Sequence, residues 1–538
     1  MMKTTYINGN VYTGDGWTDS FAVEDGRFSQ VGTGTDIGGT EGAVVDLEGK
    51  FVCAGFNDSH MHLVNLGNKL SNADLTEHTS SMREMLDYLK EYIRENHPPK
   101  GTWIRGRGFN HDYFQDEKRF PNRFDLDQVS VEYPICLVRA CGHICVVNTK
   151  VLEVISVDKY TPQVEGGSFS VDREGNPDGI FFENALELVY DKFPEPSVED
   201  FKEMIQKGSR KLNSYGITSC QSDDYETFPN ASYRKVMQAF EELAEEGRLT
   251  VRVNEQAHFT NPEALREFVE AGDHVRGNLF FKNGPLKMVG DGSLGARTAY
   301  LSRAYADAPD TRGIPIYTRE QLRVMCSYAN AHGMQIAIHA IGDGILDDIL
   351  DAYEEALREC PRKDHRHGIV HCQITRRDQL ERMGRLGLHV YVQSVFLDYD
   401  IHIVRERVGE KLSASSYQAA SLMELGLTIS NGSDAPVEDP APVRGIQCAV
   451  TRRDLKGTVP PYLPEEALTV QEAIDSFTKG GAYASFEEKE KGCIRVGMLA
   501  DFTVLDRNPF EVRAEEISSI RVCATYLGGK KVFGGSLL

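Results

Sequence analysis

From about residue 200 onward the chain alternates helical stretches that end near a glycine with short apolar runs. Lys211-Leu-Asn-Ser-Tyr-Gly leads into Ile217-Thr-Ser-Cys-Gln-Ser, and Glu245-Glu-Gly-Arg leads into Leu249-Thr-Val-Arg-Val-Asn. Leu286-Lys-Met-Val-Gly-Asp291 comes next, then Asn330-Ala-His-Gly before Met334-Gln-Ile-Ala-Ile-His339, then Gly368-Ile-Val-His371. Leu386-Gly opens onto Leu388-His-Val-Tyr-Val-Gln-Ser, and Leu425-Gly onto Leu427-Thr-Ile-Ser-Asn-Gly-Ser-Asp434. One more run, Phe51-Val-Cys-Ala, continues into Gly55-Phe-Asn-Asp-Ser-His60-Met-His62 and stands first in chain order. Short apolar runs read as buried strands, and repeated strand–helix units imply parallel ones. Eight of them predict an α/β fold closed as a (β/α)8 TIM barrel over residues 55–489. An open doubly wound sheet is the alternative, weakened because no Gly-rich phosphate loop follows an early strand.

The two chain ends have a different texture. Asn8-Gly9, Asp15-Gly16 and Asp25-Gly26 are turn dipeptides between Thr4-Thr-Tyr-Ile, Phe21-Ala-Val and Ala43-Val-Val-Asp-Leu. Gly497-Met-Leu-Ala-Asp-Phe-Thr-Val-Leu-Asp506 and Cys523-Ala-Thr-Tyr-Leu-Gly-Gly-Lys-Lys-Val-Phe repeat that texture at the far end. Each piece is too small for its own core, so residues 1–54 and 490–538 are expected to join as one small β-sandwich domain. Between about 66 and 200, Met82, Met85, Leu86, Leu89, Tyr92 and Ile93 have helical spacing, ended by Pro98-Pro99. Ser168-Phe-Ser-Val and Ile180-Phe-Phe flank a turn and predict a hairpin. This segment is too long for a strand–helix connection and reads as an insertion over the end of the first strand.

Composition narrows the class. The 538 residues are 41% hydrophobic, with 59 Lys plus Arg against 81 Asp plus Glu, a net charge of -22. So acidic a surface repels phosphate and anionic lipid, which argues against nucleic-acid or membrane partners. No run of eighteen apolar residues and no signal-peptide core is present. The 11 cysteines are scattered and often inside apolar strands; that pattern predicts reduced thiols and a cytoplasmic location.

The chemistry gathers at strand ends. Side chains alternate along a strand, so His60 and His62 point the same way, with Asp58 on that face. Later strands end in Lys287, His339, His371 and Asp434. Taken singly, His339 and His371 could be hydrogen-bonded core histidines and Asp434 a helix cap. Jointly these groups would converge on one barrel mouth, where such enzymes carry their active sites. Lys287 is the most informative, because an ammonium on an apolar strand is costly to bury unpaired. Either it pairs with Asp291 or Asp434, or CO2 converts it to a carbamate that can bridge two cations.

Ala-Gly-Phe-Asn-Asp-Ser-His-Met-His, the later Lys, His and His, and the Ser-Asp-Ala-Pro turn resemble the metal-dependent amidohydrolase superfamily. Gly142-His143…Asn148, Lys287-Met-Val-Gly-Asp-Gly-Ser-Leu-Gly-Ala-Arg-Thr-Ala299 and His339-Ala-Ile-Gly-Asp343 narrow the likeness to its YtcJ-like branch, which includes N-substituted formamide deformylases. Two departures are Ala54 where a proline is usual, and Val370 where relatives often have glutamate. The resemblance implies His60, His62 and Asp434 on one divalent metal, His339 and His371 on a second, and carbamylated Lys287 between them. Zinc suits these donors, and iron, manganese or nickel would also fit. It further implies a metal-activated hydroxide, with Asp434 as proton shuttle and His143 and Asn148 holding the substrate carbonyl. Asp291 and Arg297 would shape the site, and Asp112 joins the substrate contacts. The expected reaction is hydrolysis of a C–N bond in a small amide, such as an N-formyl or N-acyl amine. An isomerase or decarboxylase on the same metals, or a barrel without catalysis, stays open. A homodimer is compatible with this kind of barrel.

Overall fold

The computed structural model describes residues 3–34, 37, 42–228 and 232–535. The chain divides into two compact units, Met1–Gly67 with Ser197–Leu538, and Asn68–Pro196.

In the first unit, eight strands form one sheet in chain order. They are β1 (Phe56–Met61), β2 (Ile217–Ser222), β3 (Arg252–His258), β4 (Phe281–Val289), β5 (Ile336–Ala340), β6 (Gly368–His371), β7 (His389–Val392) and β8 (Thr428–Asn431). Every neighbouring pair is parallel. Strands β1, β2, β6 and β7 are buried throughout, as expected where helices cover one face and the barrel fills the other. The first and last strands meet just beyond their ends: Asp434 N donates to His60 O and His62 N to Ala435 O, both at 2.8 Å. A Cβ on Gly432 would lie 2.6 Å from His60 N, so only glycine allows this approach. The result is a nearly closed TIM-like barrel.

Helices set the strands at the right depth. The helix Val198–Ser214 starts at a capping box between Ser197 and Asp200. After it, Gly216 (φ +79) turns the chain into β2. One boundary differs from expectation. The third strand runs to His258 instead of ending near Asn254, because Asn254, Gln256 and His258 alternate onto one face, where they bond other polar groups of the barrel. Polar residues on such a face erase the apolar signal on which the sequence reading depends.

The chain ends also pair within this unit. The strand Phe51–Ala54 runs antiparallel to Phe502–Leu505 in a six-stranded sheet. A separate four-stranded sheet contains Thr4–Ile7, Ser20–Glu24, Arg27–Gly32 and Ala43–Asp46. Tyr6 and Phe21 from the smaller sheet and Phe502 and Tyr526 from the larger share one aromatic core. Arg252 of β3 makes a buried two-pronged ion pair with Asp501, at 2.6 and 3.0 Å.

The second unit is a six-stranded sheet in which Gly167–Val171 and Pro177–Glu183 pair antiparallel. Its helix Met82–Asn96 is capped by Ser81 and ends at His97 in the left-handed region, just before Pro98.

Candidate active site at the barrel mouth

The strand ends of the barrel surround a cavity of about 420 Å3 lined by His60, His62, Asp223, Glu226, His258, Lys287, His339, His371 and Asp434, among others. Asp434 is central. Its Oδ1 lies 3.0 Å from His62 Nε2 and 3.4 Å from His60 Nε2. The donor atoms of His60, His371 and Asp434 all fall within 4.8 Å of one another, and all three residues are buried. The His339 ring stands 4.4 Å from that of His371. His371 and Asp434 hold left-handed backbone conformations (φ 72 and 58), a local strain typical of functional turns.

Each histidine of this group has at least one ring nitrogen engaged by the protein, and His62 has both. His60 Nδ1 meets Gln256 Oε1 and His371 Nδ1 meets Gln393 Oε1, both at 2.7 Å. His62 Nδ1 meets the main-chain oxygen of Asp223 at 2.8 Å. His339 is held through Nε2, 3.1 Å from Gly292 O and 3.3 Å from Asp291 Oδ1, which leaves Nδ1 for the cavity.

Charges in the cavity are tightly matched. Burial alone would raise the Asp434 carboxyl, yet the His60 and His62 rings beside it, His62 by a hydrogen bond, hold it well below the usual carboxylate range. Burial would lower His62, but Asp434 and Asp223 push it up to about 9. His60 and His371 go down, chiefly through burial, which keeps both imidazoles neutral. Neutral imidazoles and an ionised carboxylate are the forms that bind metal, so His60, His371 and Asp434 fit a divalent cation such as zinc, iron, manganese or nickel as they stand, and His62 joins them on losing its proton.

Lys287 is paired, but with neither partner expected from the sequence. Its Nζ lies 3.0 Å from Asp223 Oδ2, and the two side chains are 2% and 4% exposed. Asp223 also meets His258 Nδ1 at 3.2 Å. Against the effect of burial, Lys287 and His258 hold the Asp223 carboxyl well below its ordinary range. Asp223, Glu226 and His258 were not singled out from the sequence. Asp223 sits one residue past the β2 run, where a strand-end rule applied to every strand would have caught it.

The remaining expected residues are engaged in contacts of their own. Asp58 turns to Ser433, accepting from its backbone N at 3.0 Å, and does not line the cavity. Asp291 accepts from the backbone of Tyr300, Ile341 and Gly342, so it ties two rim loops together beside His339. Arg297 is forked onto Asp307, its Nη2 at 2.6 Å. Asn148, expected to hold the substrate carbonyl, is instead wholly occupied within the second unit. Its Oδ1 accepts from Ile135 N and Val151 N, its Nδ2 donates to Ser130 O and Tyr133 O, and no part of it is exposed. His143 is exposed, with Nδ1 2.9 Å from Glu183. Asp112 is exposed and pairs with Arg139 at 2.6 Å.

A model described as the amidohydrolase family matches residues 43–533. The chain belongs to that family. This amidohydrolase is 31% identical to YtcJ of Bacillus subtilis (strain 168), over 99% of each chain. It is 27% identical to the N-substituted formamide deformylase of Arthrobacter pascens, over 98% of each chain. Among solved structures, an uncharacterized metal-dependent hydrolase from Pyrococcus horikoshii OT3 superposes with a TM-score of 0.77 at 30% identity, covering 95% of this chain and 99% of that one. The amidohydrolase is accordingly a hydrolase with a buried site suited to a divalent metal. No helix among the described residues is long and apolar enough to cross a membrane.

Proposed function

We propose that this amidohydrolase cleaves the C–N bond of a small amide, such as an N-formyl or N-acyl amine. The observation that carries the reading is the convergence of His60, His371 and Asp434 donor atoms within 4.8 Å, in a cavity that His62, His339 and Lys287 also line. The full-length likeness to an N-substituted formamide deformylase favours a formyl or short acyl group.

His60, His62 and Asp434 would hold a first ion and His339 and His371 a second, with Lys287, carbamylated by CO2 once its ammonium gives up a proton, between them. A divalent metal such as zinc, when bound there, acidifies water and polarises a carbonyl. Asp434, kept ionised, takes a proton from the attacking water at a carboxylate oxygen and passes it to the departing amine nitrogen. Gly292 and Asp291 fix the His339 ring in the cavity lining. In the same reading the terminal segments 1–54 and 490–538 form a composite β-sandwich, and residues 66–200 are an insertion in the barrel. The enzyme works on a small molecule, independent of nucleic acid and membrane, as a cytoplasmic protein and a homodimer.

The test is amine release from a panel of N-formyl and N-acyl amines by metal-reconstituted protein. His60→Ala and Asp434→Ala should abolish release while the metal-free protein keeps the circular dichroism of the folded parent. Undiminished turnover in either variant overturns the assignment.

A further inference from the structure

We propose that Gln256 and Gln393 are a matched pair of positioning residues that set the tautomers of His60 and His371 for metal binding. The proposal rests on the metal-binding reading above and goes beyond it to residues outside the ligand set. Both glutamines are buried, at 0% and 4% exposure. Each offers its amide oxygen to an imidazole Nδ1 at 2.7 Å. Each amide nitrogen is committed too: Gln256 Nε2 donates to Ser59 O and Gln393 Nε2 to Tyr391 O, both at 3.1 Å.

That second bond decides the outcome. Were either amide turned over, its oxygen would face a main-chain carbonyl oxygen, so a repulsive contact would replace the bond to Ser59 O or Tyr391 O whatever the tautomer of the ring. Only the oxygen can therefore face the imidazole. An acceptor at Nδ1 requires the proton to sit on Nδ1, which leaves the Nε2 lone pair for the cavity. In His60 Nε2 is the nitrogen on Asp434's side of the ring, 3.4 Å from Asp434 Oδ1, and in His371 Nε2 is the nitrogen that Gln393 leaves free. His339 receives the opposite treatment. Its Nε2 faces Gly292 O and Asp291, so its Nδ1 is the free donor.

The two orienters reach by different routes. Gln393 follows β7, the neighbour of the strand that carries His371. Gln256 lies on β3, two strands from His60 on β1, and contacts it across the barrel interior. A neutral amide fixes the ring without adding an anion beside the buried Asp434. Partners of this kind are worth about 10–100-fold in metal affinity.

The experiment measures zinc affinity by chelator competition for the full-length protein and for Gln256→Leu, Gln393→Leu and the corresponding Gln→Glu variants. Each leucine variant should bind zinc about 10–100-fold more weakly. Each glutamate variant keeps an acceptor at the ring but sets its second oxygen against Ser59 O or Tyr391 O, so its affinity should fall between those of the parent and the leucine variant. Nitrogen NMR of the metal-free protein with labelled histidine should show a fixed Nδ1–H tautomer for His60 and His371, and a mixture in the leucine variants. If a leucine variant does not fold, Gln→Asn, which withdraws the amide by one methylene, takes its place and should lose affinity. Parental affinity in the leucine or asparagine variants overturns the proposal, as does a glutamate variant no better than leucine. A parent protein that binds no zinc overturns the metal reading itself.

Discussion

Asp223 and Lys287 offer the most direct test of how this cavity is held together. Their charged atoms are 3.0 Å apart and almost fully buried. At an effective dielectric constant of about 20, the direct attraction at this distance is about 5 kcal/mol before desolvation is subtracted. Removing one partner of such a pair typically costs about 3–5 kcal/mol, because the other charge is left uncompensated. Asp223→Asn should therefore destabilise the metal-free protein by about that amount, since Lys287 then faces a neutral amide. Lys287→Met should cost less, because Asp223 keeps its contact with His258 at 3.2 Å. The double variant should be more stable than the sum of the single effects predicts, with a coupling of about 2–3 kcal/mol. Urea unfolding of the chelator-treated parent, both single variants and the double variant closes the cycle. Additivity to within about 0.5 kcal/mol would refute the pairing. Repeating the cycle with zinc and bicarbonate also examines carbamylation. A carbamate has no positive charge for Asp223 to neutralise, so the coupling should shrink.

Acid should weaken the fold through His389, which is buried at the start of β7 and whose imidazole burial pushes down to about 3 from 6.5. Between those values the unfolded chain binds the proton that the folded chain refuses. Stability from this group is thus complete above about pH 6.5 and falls as pH drops towards 3, by roughly 5 kcal/mol in all. His389→Gln should flatten that part of the stability–pH curve, and an unchanged slope would count against the buried neutral ring. Thiol labelling should single out Cys141, the one exposed cysteine of the eleven, all of them free. Its slight burial works the other way, but Arg139 lowers its pKa. Cys141→Ser should remove the fastest labelling phase.

Much of the barrel is legible from local signals alone. A glycine that ends a helix and a short apolar run that follows are properties of neighbouring residues, so the eight strands and their chain order can be read without coordinates. The histidines that line the cavity are legible for the same reason, since His60, His62, His339 and His371 sit at or next to the ends of those runs. Asn148 shows the limit of motif reading. The pattern Gly142-His143…Asn148 is plain in the sequence, but four hydrogen bonds within its own unit decide what the asparagine does.

Partnership is where only the tertiary structure decides. Lys287 could be seen to need an anion, and Asp291 and Asp434 were reasonable candidates by strand position. Asp223 takes the role because it emerges at the rim between the strands that carry His62 and His258. Gln256 meets His60 across the barrel, 196 positions further along the chain. Hydrophobic periodicity records which face of a strand is buried, and glycine records where the chain turns. Neither records which polar group stands opposite once a sheet curls into a barrel, because that depends on stagger and curvature summed over every intervening strand.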